Sequence, residues 1–167
     1  MSKLLRYFAP GNIYFVTSVT YNRAPILSEH ADLLMYSIAD PEDKIKFELS
    51  AWVVMPDHFH LVIDPKNCSL DQVMKRLKLS FAFKYRERLK IYNGQVWQSR
   101  YWDHIIRNQD DWNRHIDYIH YNPVKHGLTQ SPFIWKHSSI HDYLREGFYA
   151  ADWGVKGNLR FIGDYGE

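Results

Sequence analysis

The stretch WVVMPDHFHLVID, Trp52 to Asp64, decides the fold. Two apolar arms, rich in β-branched and aromatic residues that suit a pleated, half-buried surface, flank Pro56-Asp57. Proline cannot donate to a sheet ladder and the pair favours a turn, so Lys44 to Met55 and His58 to Asp64 read as two strands of a hairpin. Side chains alternate across a strand. His58 and His60 therefore leave one face about 7 Å apart along the chain, and Phe59 points to the other.

Working outward, Asn12 to Tyr21 (NIYFVTSVTY) reads as a further strand. Ser28 is positioned to cap a helix running to Ala39, stopped by Asp40-Pro41. Ser69 with Gln72 forms a capping box that opens a long helix to about Lys90, with Leu70, Val73, Met74, Leu77, Phe81, Tyr85 and Leu89 on one stripe. Asn93-Gly94 is a turn, and Gln95 to Arg107 reads as a strand or bent strand pair. Asp110 and Asp111 open another helix to about Tyr121, which Asn122-Pro123 interrupts before Gly127 ends a short turn. The order β-α-β-β-α-β-α predicts an α+β fold, an antiparallel sheet with helices packed on it. From about Gln130 the chain carries Trp135, Tyr143, Phe148, Tyr149 and Trp153 without a clear period.

At 167 residues and 46% hydrophobic, the chain can bury one good core. The expected division is a catalytic unit over 1–130 and a tail over 131–167 that packs on it or contacts a ligand. Apolar runs such as Ala51 to Met55 are far below the roughly 20 residues a membrane-spanning helix needs, and the first residues lack a signal-peptide block, so a cytoplasmic protein is expected. Cys68 is the sole cysteine, which excludes an internal disulfide and a cysteine metal cluster. The net charge of +2 hides an asymmetry: ten Lys or Arg against three acids between Pro65 and Arg107. A basic middle third on a neutral to acidic body suits a phosphate-binding face better than it suits a merely solvated helix face.

Two imidazoles projecting from one strand face can converge on a metal ion, leaving open positions for a third ligand. Taken alone, a His-x-His pair fits a solvated strand face better than a metal site. In Tyr118-Ile119-His120-Tyr121-Asn122, helical spacing puts Tyr118 and Asn122 on one side with Cβ atoms about 6 Å apart. Asn122 is then either an oxygen ligand or, standing before Pro123, a helix N-cap.

MPDHFHLVI (Met55 to Ile63), WQSRYWDHIIR (Trp97 to Arg107) and YIHYNPVKHGL (Tyr118 to Leu128) together resemble the REP-associated tyrosine transposases, of the HUH single-tyrosine superfamily. The resemblance implies a ferredoxin-like sheet and cleavage of single-stranded DNA beside hairpins formed by repetitive extragenic palindromes. It makes His58 and His60 the HUH metal ligands, Tyr118 the nucleophile and Asn122 the third ligand, where insertion-sequence relatives carry glutamine. Mg²⁺ or Mn²⁺ is implied, though a histidine pair also accepts Zn²⁺. Tyrosine attack would leave a 5′-phosphotyrosine and a free 3′-hydroxyl. Only about a thousandth of an ordinary tyrosine is phenolate at neutral pH, so Tyr118 needs help, for which His115 and Lys125 are candidates. DNA contacts are expected from Lys75, Arg76, Lys78, Lys84, Arg100 and Arg107, with Trp97 or Trp102 stacking on bases. The family works as monomers or as dimers that exchange the tyrosine helix. Rival readings are a non-catalytic hairpin-binding protein and a water-using metal hydrolase.

Overall fold

The computed structural model describes residues 13–40, 43–155 and 159–167. β1 (Tyr14–Val19), α1 (Ala31–Ala39), β2 (Glu48–Val54), β3 (His58–Asp64), α2 (Leu70–Leu89), β4 (Trp102–Ile105), α3 (Gln109–Lys125) and α4 (Ile140–Arg145) follow in order. The strands form one antiparallel sheet, β2-β3-β1-β4, the ferredoxin-like order that the resemblance implies. Register matters most at β1–β3, where Thr17 lies opposite His60 and Val19 opposite His58.

Alternation sends the two faces of the sheet to different cores. Val16, Val54, Phe59, Leu61 and Ile63 pack with α1 and α2. Phe15, Ala51, Val53 and Val62 pack with Trp112, Ile116, Tyr118 and Ile119 of α3. Phe59 thus turns away from the histidines, against Trp97 and Phe81. Burying an aromatic or aliphatic side chain of this size contributes roughly 1.5–3 kcal/mol, so the alternation fixes the register strongly.

Local signals were mostly sound. Pro56-Asp57 closes the hairpin, with Met55 N donating to His58 O at 2.8 Å. The Ser69–Gln72 capping box is present in both directions. Four boundaries differ. β2 begins at Glu48 rather than Lys44. Ser28 does not cap α1, because Leu27 is buried and tied to the Pro56 carbonyl, which holds 27–30 in a turn and starts the helix at Ala31. Only Trp102–Ile105 of the expected 95–107 strand pairs with β1, apart from a bridge between Thr20 and Trp97. Asn108 caps α3, its side chain accepting from Asp111 N, so Asp110 and Asp111 lie in the first turn. Asn12 and Pro41 lie outside the described residues.

The largest departure is that α3 runs straight through Asn122-Pro123 to Lys125. Proline inside a helix costs about 3 kcal/mol because it removes a donor and crowds the preceding turn. Here Ile119, His120, Tyr121 and Asn122 are all fully or almost fully buried, and that tertiary packing outweighs the local cost. Asn122 is therefore not an N-cap.

The segment after Gln130 is ordered around α4. Ser139 Oγ accepts from Trp52 N and donates to Trp52 O, Tyr143 donates to Ser50 O, and Trp135 Nε1 donates to Val54 O. These bonds seat α4 on β2. No helix among the described residues is long and apolar enough to cross a membrane.

Candidate active site

The two histidines enter the site already oriented. Asp57 Oδ1 lies 2.6 Å from His58 Nδ1, and Thr17 Oγ1 lies 2.7 Å from His60 Nδ1. The Thr17 hydroxyl donates to the Tyr165 carbonyl at 2.5 Å, so the hydrogen-bond network assigns the His60 Nδ1 proton to its bond with Thr17. Both Nε2 atoms then face inward, the outer-shell arrangement that orients imidazole ligands for a cation. Burial pushes His58 down, but the Asp57 and Glu167 carboxylates more than reverse this. The hydrogen bond with His58, aided by Arg23, holds Asp57 at about 2 against opposing desolvation. Burial dominates at His60 and lowers it to about 4, so it stays neutral at pH 7.

α3 brings the second half. Asn122 Oδ1 stands 3.4 Å from His58 Nε2, and the Tyr118 ring lies edge-on to His60, 5.4 Å between centroids. Tyr118, Asn122, Lys125 and His126 share one helix face because they are spaced by three and four residues. Lys125 Nζ donates to Tyr118 Oη at 2.9 Å. Of the two helpers considered for the tyrosine, Lys125 reaches it. His115 instead engages the Asp111 carbonyl at 2.7 Å and stacks on His104.

The carboxylate of Glu167 lies at the centre of this set. Its Oε1 is 2.8 Å from His60 Nε2 and 3.5 Å from His58 Nε2, and it accepts from Asn122 Nδ2 at 2.6 Å. Oε2 accepts from Lys125 and from His126 Nε2, the latter at 3.1 Å. Burial alone would raise this carboxyl, but the hydrogen bonds from His126 and His58 outweigh it and hold the carboxyl far below the usual range. The approach is sterically exacting. A Cβ on Gly166 would fall 2.5 Å from the Trp102 side chain, and its φ of 75° lies where a side chain is strained. Tyr165 stacks on Tyr118, and Phe161 meets the same ring edge-on. Tyr118 is 1% exposed; burial first, then the Glu167 charge, pushes its hydroxyl well above the ordinary tyrosine value.

Sequence reasoning missed Glu167, Thr17, Asp57 and His126. His126 was within reach: four residues after Asn122, it shares its face once Pro123 is allowed inside the helix. Glu167 had no periodic signal to reveal it.

The donor set fits a divalent cation. His58, His60 and Glu167 offer ligand atoms within 4.8 Å of one another, and the Asn122 amide oxygen adjoins them. Neutral imidazole and oxygen donors without cysteine suit Mn²⁺ and Mg²⁺ and also permit Zn²⁺.

The residues expected to contact DNA do not form one surface. Arg76 turns into the α1–α2 interface, paired with Asp43 and donating to the Ser37 carbonyl, so it is not part of an exposed basic face. Lys84 lies over the Tyr36 ring. Arg107 pairs with buried Asp111 at 3.0 Å while its side chain stays largely exposed. Arg100 and Lys75 are exposed, and Lys78 donates to the Gln98 carbonyl at 2.7 Å. Trp97 is not available as an open stacking platform, because it is 6% exposed and its indole donates to the Lys78 carbonyl. Trp102 is partly exposed and packs against Phe15 beside the site.

Comparison with known proteins places this geometry. Residues 11–122 match the family model "Transposase IS200 like". The REP-associated tyrosine transposase of Escherichia coli K12 is 32% identical over 154 residues, covering 92% of this chain and 91% of that protein. A Haemophilus influenzae relative is 32% identical over 175 residues, covering 98% of this chain and 99% of its own. A solved structure of a REP-associated tyrosine transposase bound to a REP hairpin superposes with a TM-score of 0.75 at 29% identity, covering 98% of this chain and all of that one. A chain with this sheet order, this histidine pair and these relatives belongs to the REP-associated tyrosine transposases, within the IS200-like transposase family.

Proposed function

We propose that the protein is a metal-dependent single-strand DNA endonuclease and strand transferase acting beside REP hairpins, with Tyr118 as nucleophile. The observation that carries this reading is the Tyr118 hydroxyl held 2.9 Å from Lys125 Nζ, on the helix face that brings Asn122 to the His58–His60 pair.

A phosphodiester repels nucleophiles through its charge, so attack needs cations on the phosphate and an aligned oxygen. His58, His60 and Asn122 would hold the metal. When bound, Mg²⁺ or Mn²⁺ supplies positive charge to the non-bridging oxygens. Lys125 stabilises the phenolate as the proton leaves. The Tyr118 oxygen bonds to phosphorus, the bond to the 3′ oxygen breaks, and that oxygen takes up one proton, balancing the proton Tyr118 gives up to solvent, to depart as a 3′-hydroxyl. The resulting 5′-phosphotyrosine conserves the bond energy, so a 3′-hydroxyl can attack it and rejoin strands.

With Glu167 between the histidines and Tyr165 on the tyrosine ring, the site is closed. DNA and Tyr118 meet once residues 159–167 move away. The same closure favours a second reading, a hairpin-binding protein that seldom cuts. Incubation with a labelled hairpin bearing single-stranded flanks and Mn²⁺ separates them. A covalent protein–DNA adduct that disappears in Tyr118→Phe supports the transferase; binding without adduct supports the second reading, and cleavage retained in Tyr118→Phe supports a water-using hydrolase.

A further inference from the structure

On the sheet face opposite the histidines, a cleft of about 470 Å³ opens between α2 and the segment before β4. Small-molecule sites occupy roughly 300–1,000 Å³, so this one has room for a nucleotide. Lys75, Lys78, Leu79, Ala82 and Arg86 line one wall, a single helix face by their three- and four-residue spacing. Val96, Trp97 and Tyr101 line the other.

The two walls divide the chemistry. Leu79 is 60% exposed, an apolar surface open to water, and Ala82 and Trp97 continue it inward. The cationic rim is unevenly used. Lys78 is committed to the Gln98 carbonyl, and burial lowers its pKa. Arg86 donates to the Gly94 carbonyl at 2.5 Å through one terminal nitrogen, yet its Nε is buried with no hydrogen-bond partner among the described residues. A phosphate oxygen is the natural acceptor for a guanidinium N–H that lacks one. The acid of the rim, Asp71, accepts from the Tyr101 hydroxyl. A flat apolar wall beside an unsatisfied guanidinium is the recognition chemistry of a base with its phosphate.

One short segment of chain runs from the cleft to the site. Trp97 lines the cleft, and Trp102, five residues on, packs on Phe15 and Gly166 at the histidine face. Both ends of the intervening segment pair with the β1 side of the sheet, Trp97 opposite Thr20 and Trp102 opposite Thr17.

We propose that this cleft binds one nucleotide of a single strand running from the Tyr118 site around the β4 edge, its base against the exposed Leu79 side chain and its phosphate on Arg86 and Lys75. The proposal rests on the DNA-cleaving reading above but is tested separately from it. The probe is a fluorescein-labelled, mixed-sequence single-stranded octanucleotide, read by anisotropy; a second copy carrying 5-iodo-deoxyuridine is photo-crosslinked and the attached peptide sequenced. Leu79→Glu places a carboxylate in the cleft at an exposed position, so the fold survives, as a thermal melt would verify. Affinity for the octanucleotide should fall about tenfold in Leu79→Glu and in Arg86→Met, since one stacked base contributes roughly 1–3 kcal/mol. Cross-links should map to residues 95–101 or 79–86. Wild-type protein that does not bind the octanucleotide, variants that bind it unchanged, or cross-links confined elsewhere would overturn the cleft. Absence of a Tyr118 adduct with cleft binding intact would sink the nuclease reading alone; an adduct with unaltered binding in both variants would sink the cleft alone.

Discussion

The rings of Tyr118 and Tyr165 lie face to face, 3.7 Å between centroids and 8° from parallel. Two residues further along, Glu167 fills the space between the histidines. The tail thus holds the Tyr118 ring and the His58–His60 pair at once. Replacing Tyr165 and Glu167 together by alanine should raise the rate of Tyr118–DNA adduct formation by about tenfold or more, because the open form no longer competes with the closed one. A gel assay of the adduct with Mn²⁺ measures this, and an unchanged rate would refute the closure.

Lys125 is the ammonium that touches the tyrosine oxygen. Lys125→Met should slow adduct formation about 100-fold, the usual order for removing one preorganised charge or donor, while hairpin affinity stays within about twofold. Single-turnover kinetics at saturating DNA separates the two effects. A matching loss of affinity would make Lys125 a DNA-binding residue instead.

Asp57 never meets the proposed metal position, yet it fixes the His58 ring through Nδ1. Asp57→Asn should weaken Mn²⁺ binding about 10- to 100-fold, as outer-shell substitutions do. Calorimetric titration in the Tyr165/Glu167 alanine background gives the constant without competition from the tail.

Stability should decline in mild acid through His115. Burial lowers its pKa to about 4, against the raising effect of Asp111 and with the aid of His104 and Arg114. An unfolded histidine titrates near 6.5, so above that pH neither state binds the proton and the contribution is complete. As pH falls from 6.5 toward 4, the unfolded chain takes up a proton that the folded chain refuses, and on the order of 3 kcal/mol is lost. Urea midpoints between pH 7.5 and 4.5 should fall less steeply in His115→Gln; parallel slopes would assign the acid sensitivity to other groups.

The fold was legible because its signals are periodic and local. Alternation in Phe59 and its flanking histidines told the two faces of the sheet apart, and Ser69 with Gln72 marked the start of α2. What escaped was tertiary. Pro123 carries a local cost that argues for a break, and only the burial of its neighbours reverses that argument. Ending the helix at Tyr121 removed Lys125 and His126 from the face they share with Tyr118 and Asn122. Arg76 carries the same charge as Lys75 and differs in location only because one helix step turns it toward Asp43. The Glu167 contact joins residues 107 positions apart, through an aperiodic tail.

A single chain supplies both halves of the site, with Asn122 of α3 beside His58 of β3. Two crippled copies should then be unable to rescue one another: mixing Tyr118→Phe protein with His60→Ala protein should yield no adduct, whereas partners that traded helices would regain about a quarter to a half of the activity by random pairing. In a cell carrying several copies of such a gene, each copy would stand or fall by its own mutations.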